Sequence, residues 1–157
     1  MNTTIDQDLL QSLSAKAASL PRKRINLNFH TDDHAPCHRL LIAIEPNSYV
    51  RPHCHADHNK DETMLVLQGR LGLIYFDQDG TVTKTFVLSP NETIGTTIPH
   101  GQLHSVIALE AGTVFFESKA GPYQPPQKNE ISTFAPAENT PKATDYLQKL
   151  YQLFEVE

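Results

Sequence analysis

From Arg39 onward the chain breaks into eight short runs rich in Leu, Ile, Val, Thr and aromatic residues, and this spacing constrains the fold more than any other feature. The runs cover residues 40–44, 49–55, 63–67, 71–76, 81–88, 93–98, 104–109 and 113–118. Turn signals punctuate them: Glu45-Pro46-Asn47-Ser48, Gly69-Arg70, Asp77-Gln78-Asp79-Gly80, Ser89-Pro90-Asn91-Glu92 and Glu110-Ala111-Gly112. Such residues form strands because β-branched and aromatic side chains pack well on a pleated surface, and Gly, Pro, Asn and Asp turn the chain between them. Eight short strands at roughly ten-residue spacing predict a sandwich or a barrel.

At 157 residues the chain is long enough for one core and too short for two ordinary domains. With 20% charged and 39% hydrophobic residues it has the composition of a soluble globular protein. The formal charge of -5 argues against a nucleic-acid partner or an anionic membrane surface, both of which attract basic faces. No apolar run approaches the roughly 20 residues of a membrane helix. The stretch from Met1 to Leu10 lacks the basic flank of a secretory signal, so a cytoplasmic location is the default expectation. Two cysteines, Cys37 and Cys54, are too few for a disulfide framework.

The ends read as helices. Thr4 with Gln7 in the capping-box position opens a helix over about 4–20, with Ile5, Leu9, Leu10, Leu13 and Ala17 on one stripe and Pro21 at its end. A short basic cluster, Arg22-Lys23-Arg24, follows. His30, His34 and His38 recur every fourth residue, but Pro36 and Asp32-Asp33 argue for a loop, in which His30 is placed nearest a pocket. Residues 121–139 are Pro-fixed and irregular, and are expected to lie across the barrel. Thr140 with Pro141 then starts a helix over about 141–155, striped by Tyr146, Leu147, Leu150, Tyr151 and Phe154.

The chemistry concentrates in two places. His53 and His55 are separated by one residue, so on an extended segment both imidazoles project from one face, while Cys54 points to the other. Glu62 opens the next run, and His104 follows in Pro99-His100-Gly101-Gln102-Leu103-His104. Three imidazoles and a carboxylate suit one divalent ion (Fe, Mn, Ni, Co or Zn), and three buried imidazoles with a carboxylate would be costly without one. Asp57, His58 and Asp61, in the six-residue spacer before Glu62, are alternatives for the fourth ligand. The same alternation places Tyr49 and Arg51 beside the histidines, Met64 and Val66 beside Glu62, and Gln102 and Val106 beside His104. Arg51, Tyr49 and Gln102 are therefore expected as polar pocket contacts.

At these positions the sequence resembles the cupin superfamily. His53, His55, Glu62 and Gly69 match its first motif, and Pro99, Gly101 and His104 match the second. It departs in the longer spacer, in Asn47 and Thr93 where Gly is usual, and in Ala108 where Asn is common. Three further stretches resemble the WbuC-type family of cupin-fold metalloproteins: Arg22-Lys23-Arg24 with Asn28 and His30, Ser48 to His53, and Glu117 to Tyr123. The resemblance implies an all-β fold, a double-stranded β-helix or jelly-roll barrel over about 25–120 in a single domain spanning 1–157, flanked by the two short helices. It also implies that Arg24, His30 and Tyr123 belong to the pocket. The expected function is that of a divalent-metal protein, an isomerase or epimerase acting on a small anionic sugar-type substrate in surface-polysaccharide biosynthesis. An Fe(II) dioxygenase and a non-catalytic binding or sensor module are the alternatives. Tyr49, His58 and Tyr123 are candidate acid/base groups, and a homodimer is the expected assembly.

Overall fold

The computed structural model describes residues 4–155, so residues 1–3 and 156–157 of the expected single domain lie outside the described residues. Helix α1 (Gln7–Ser19) starts later than Thr4, because Asp6 is its N-cap and accepts the Leu9 N–H at 2.9 Å. A carboxylate there satisfies a free backbone donor and complements the helix dipole. Strand β1 (Arg24–Asn28) follows, then β2 (Cys37–Ile44), β3 (Glu62–Gln68), β4 (Leu71–Phe76), β5 (Val82–Leu88), β6 (Gly95–Ile98), β7 (Leu103–Ala108) and β8 (Thr113–Ala120). Helix α2 (Pro141–Gln152) closes the order, with Thr140 as N-cap and Pro141 in its first turn.

Two antiparallel sheets face each other. The larger has the order β1-β2-β8-β3-β6 and the smaller β5-β4-β7. Ile44, Met64, Val66 and Phe115 of the first meet Leu71, Leu73, Val106 and Ala108 of the second in the principal core. Alternation gives each inner strand a second buried face. Leu41, Ala43 and Val114 pack on Leu10, Leu13 and Ala17 of α1, while Ile74, Phe76, Leu103 and Ile107 pack on Leu147 and Leu150 of α2. Strands β4 and β7 are therefore buried along nearly their whole length. Gly72 is fixed by this packing: a Cβ there would lie 2.8 Å from the Phe154 ring. Both terminal helices thus pack against their own chain.

Seven of the expected strands are present, with small shifts at their ends. The run 49–55 is not a strand, and β1 takes its place in the count of eight. Pro52 has no N–H to give a ladder, and the segment is held instead by separate bridges. His53 exchanges backbone bonds with His104, at 3.0 and 2.9 Å, while Cys54 N–H donates to Glu130 and Ser132 N–H donates to Pro52. The irregular segment after β8 lies across the ligand-bearing loop in this way, and includes a short 3₁₀ turn, Lys128–Glu130. Asn47, where a Gly was the usual residue, has φ +72°, a left-handed conformation that Asn tolerates.

Candidate metal centre

His53, His55 and His104 converge, with one ring nitrogen of each within 4.8 Å of the others. His104 comes from β7, where alternation with Val106 and Ala108 turns it into the barrel. His53 is brought beside it by the paired backbone bridge. His53 Nδ1 lies 3.0 Å from the carbonyl of Arg51, and His104 Nδ1 lies 2.9 Å from that of Gln102. A carbonyl only accepts, so both rings carry their proton on Nδ1 and keep a lone pair on Nε2, the arrangement in which backbone partners orient metal-binding imidazoles. Burial, reinforced by the neighbouring His104, drives His53 down to about 3, and burial also lowers His104. Both are therefore neutral at pH 7, as metal ligation requires.

Glu62 completes the group. It is buried at the start of β3, its Oε2 accepts from His55 Nε2 at 2.8 Å, and its Oε1 is 3.9 Å from His104 Nε2. Burial opposes its charge, but the hydrogen bond from His55 and the Lys119 ammonium prevail and hold the carboxyl well below the usual range. Of the alternative fourth ligands, Asp57, His58 and Asp61 are all exposed. Asp57 accepts from Asn59, and Asp61 accepts the backbone N–H of His100 at 2.8 Å. Three converging imidazoles and an ionised, buried carboxylate fit a divalent transition ion by their donor chemistry.

The centre opens on a cavity of about 480 Å³ inside the larger sheet. Its floor is apolar, built from Leu40, Ile42, Met64, Val106 and Phe115, and its polar side carries Glu117 and Lys119 of β8. Lys119 Nζ donates to Glu117 Oε1 at 2.6 Å and to Glu62 Oε2 at 3.4 Å. Burial, and then the charge of Glu62, push Glu117 up to about 7. Burial opposes the Lys119 charge, yet the two carboxylates hold its pKa above the ordinary lysine value. Sequence reasoning took this pair only as part of a family resemblance. The signal was available in the alternation Phe115, Glu117, Lys119, which places two charges on an inward face.

The other expected pocket residues divide. Arg24, His30 and Tyr123 line the cavity, and His38 joins them from β2 and not from a loop. Arg24 is already engaged: it donates to Ser48 and to the Tyr49 carbonyl and pairs with Glu138 at 2.7 Å. His55 faces a neighbouring cavity of about 270 Å³ beneath residues 120–130, which shares His38, His53, Lys119 and Tyr123 with the first. Tyr49, Arg51 and Gln102 do not line the cavity. The Tyr49 hydroxyl donates to the Pro136 carbonyl, Arg51 donates to the Ser132 carbonyl, and the Gln102 amide donates to Phe76 and Leu103. The reason is the missing strand: without regular pleating over 49–55, Val50 turns inward and Tyr49 packs beside Tyr146 and α2. His58 is exposed in the spacer loop. Cys54 is buried and lines the smaller cavity together with His53 and His55, its thiol pushed up by burial. No helix of the described residues is long and apolar enough to cross a membrane.

A family described as a domain of unknown function (DUF6016) matches residues 5–88. No curated protein matches the chain. Among solved structures, KdgF from Halomonas sp. superposes with a TM-score of 0.52 at 19% identity, over 68% of this chain and 85% of that one. A conserved protein of unknown function from Streptococcus pyogenes, SPY1581, gives 0.52 at 11% identity, over 79% and 92%. A cupin superfamily protein from Desulfitobacterium hafniense, DSY2733, gives 0.51 at 13%, over 69% and 86%. The fold is that of the cupins.

Proposed function

Because the chain belongs to the DUF6016 family and folds as a cupin, we propose that it binds one divalent metal ion through His53, His55, His104 and Glu62 and uses it on a small anionic, sugar-type substrate. The observation that carries the reading is the convergence of three imidazoles, two with tautomers fixed by backbone carbonyls, on one buried carboxylate. When bound, the ion supplies Lewis-acid polarisation of a carbonyl and attracts the substrate's negative charge. The chain's own residues supply the rest. Glu117, buried at the cavity wall and held near neutrality, is suited to take and return a proton, as isomerisation or epimerisation next to a carbonyl demands. Lys119 positions it and keeps Glu62 ionised. Of the candidate acid/base groups, the Tyr49 hydroxyl is spent on Pro136, His58 faces solvent, and Tyr123 lines the cavity but is 53% exposed, so the buried Glu117 takes the role. The resemblance to WbuC-type cupins supports placing the substrate among surface-polysaccharide precursors.

The test is elemental analysis of protein purified without added metal or an affinity tag, followed by proton NMR in D₂O with a panel of keto- and nucleotide-sugars. Near-stoichiometric metal is expected in the wild type and not in His53→Ala, with deuterium entering next to a carbonyl in the wild type and not in Glu117→Gln. A metal-free wild type refutes the metal centre. Stoichiometric iron with oxygen uptake, and no exchange, replaces the isomerase with a dioxygenase.

A further inference from the structure

The cavity holds a second pair of imidazoles at some distance from the metal centre. His30 follows β1 and His38 lies on β2, and their rings stack with centroids 4.0 Å apart and planes at 15°. Both are buried, at 7% and 5% exposure, and both line the cavity. Each spends one ring nitrogen on the backbone. His38 Nε2 lies 3.2 Å from the Asp33 carbonyl, so it carries the proton and Nδ1 keeps a lone pair. His30 Nδ1 lies 3.2 Å from both the N–H and the carbonyl of Arg39, so that nitrogen is spent on the backbone in either tautomer and Nε2 is left free. One free acceptor, His38 Nδ1, and one further free nitrogen, His30 Nε2, remain on adjacent rings. Neither is sealed from solvent, for among the described residues the buried side-chain polar atoms without a partner are Arg51 Nε and Ser132 Oγ.

We propose that His30 and His38 form a second contact point that grips a hydroxyl group of the ligand, and so select a polyhydroxylated acid or sugar of monosaccharide size. This deepens the function proposed above and rests on the metal centre being the other contact point. A hydroxyl donates to His38 Nδ1 and keeps lone pairs for a proton on His30 Nε2; a carboxylate only accepts and would face the His38 lone pair. His38 stands opposite Lys119, and Lys119 bonds to Glu62 on the next strand, so the backbones that carry the two contact points are two interstrand spacings apart, about 10 Å. A ligand that reaches both therefore extends beyond a single 2-hydroxycarboxylate unit, across the face of β8.

Two substitutions remove the free nitrogens and keep the backbone bonds. His30→Asn retains an acceptor where Nδ1 stood, and His38→Gln retains a donor where Nε2 stood. The probes are D-gluconate and glycolate, which present the same 2-hydroxycarboxylate to a metal, although only gluconate reaches further. Calorimetric titration of Mn(II)-loaded protein is expected to show gluconate binding more tightly than glycolate. Each variant is expected to lower gluconate affinity by about 2- to 10-fold, the effect of one neutral hydrogen bond, with manganese content and glycolate affinity unchanged. Equal affinities for the two probes in metal-loaded wild type overturn the proposal while leaving the metal centre standing. So do variants that weaken both probes alike, which would make the pair structural, and variants that weaken neither. A wild type that takes up no manganese overturns the metal reading itself, and elemental analysis before titration separates that result from the others.

Discussion

Lys119→Met in metal-free protein tests whether the cavity's charges are held by that one ammonium. Lys119 lies 2.6 Å from Glu117 and 3.4 Å from Glu62, with side-chain exposures of 21%, 8% and 4%. Removing one member of a buried charge group costs about 3–5 kcal/mol, because the remaining charges lose their partner. Lys119 is the most accessible of the three, so the lower end applies, about 3 kcal/mol at pH 8, or a fall in Tm of roughly 6–12 °C for a chain of this size. Glu117 offers partial relief. It titrates at about 7 even beside Lys119, and without the lysine it takes a proton more readily still. Keeping that proton costs about 1.4 kcal/mol per pH unit above its pKa, so the deficit is smaller at pH 6 than at pH 8. Glu117→Gln added to Lys119→Met should recover most of the loss, since no uncompensated pair of carboxylates then remains. The assay is thermal unfolding followed by circular dichroism at both pH values after chelator treatment. A single variant melting within about 2 °C of wild type at pH 8, or a deficit that shrinks as pH rises, refutes the reasoning.

Metal-free wild type should also lose stability on acidification. The folded pKa values of His53 and His104 lie below the unfolded value, so their contribution is complete above about pH 6.5 and is lost as pH falls toward His53's folded value of about 3. Glu117, whose folded pKa is raised, pulls the other way between about 4.5 and 7, but it is one group against two. Urea midpoints at pH 5.5 should therefore lie below those at pH 7.5, and a higher midpoint at pH 5.5 would contradict the assignment. For the fourth ligand, Glu62→Gln should weaken metal retention at least tenfold, while Asp57→Asn, His58→Asn and Asp61→Asn leave it unchanged; competition with a fluorescent chelator measures both, and the opposite pattern would move the ligand into the spacer.

Sequence pattern located most of the architecture because the turns are chemically explicit. Gly69, Gly80, Gly101 and Gly112 all adopt positive φ, and each ends or begins a run that the alternation had already marked. The three histidines and Glu62 were legible for a different reason: imidazoles and carboxylates seldom occupy inward positions unless something binds them. What misled was parity. A single irregular segment around Pro52 changed which residues point inward, so Tyr49 and Arg51 left the pocket and Val50 entered it. Strand β1 escaped notice because Arg24-Ile25-Asn26-Leu27-Asn28 alternates with polar residues on its cavity side and reads as loop. His38 was hidden by its fourfold spacing with His34 and His30, which invited a comparison with a helix and drew attention from the strand it begins.

The order β1-β2-β8-β3-β6 places the last strand of the chain in the middle of the larger sheet. As the polypeptide leaves the ribosome, β2 and β3 are complete long before the strand that joins them exists, and each waits with an unpaired edge. Such edges are where growing chains stick to one another, and pairing across so great a separation in sequence is slow. The barrel therefore closes only after synthesis has passed Ala120, and the delay falls on the interval in which chaperones or low expression temperature have most effect. His104 and Lys119 arrive in that same final stretch, so newly made protein has no complete donor set to offer an ion until the sheet is shut.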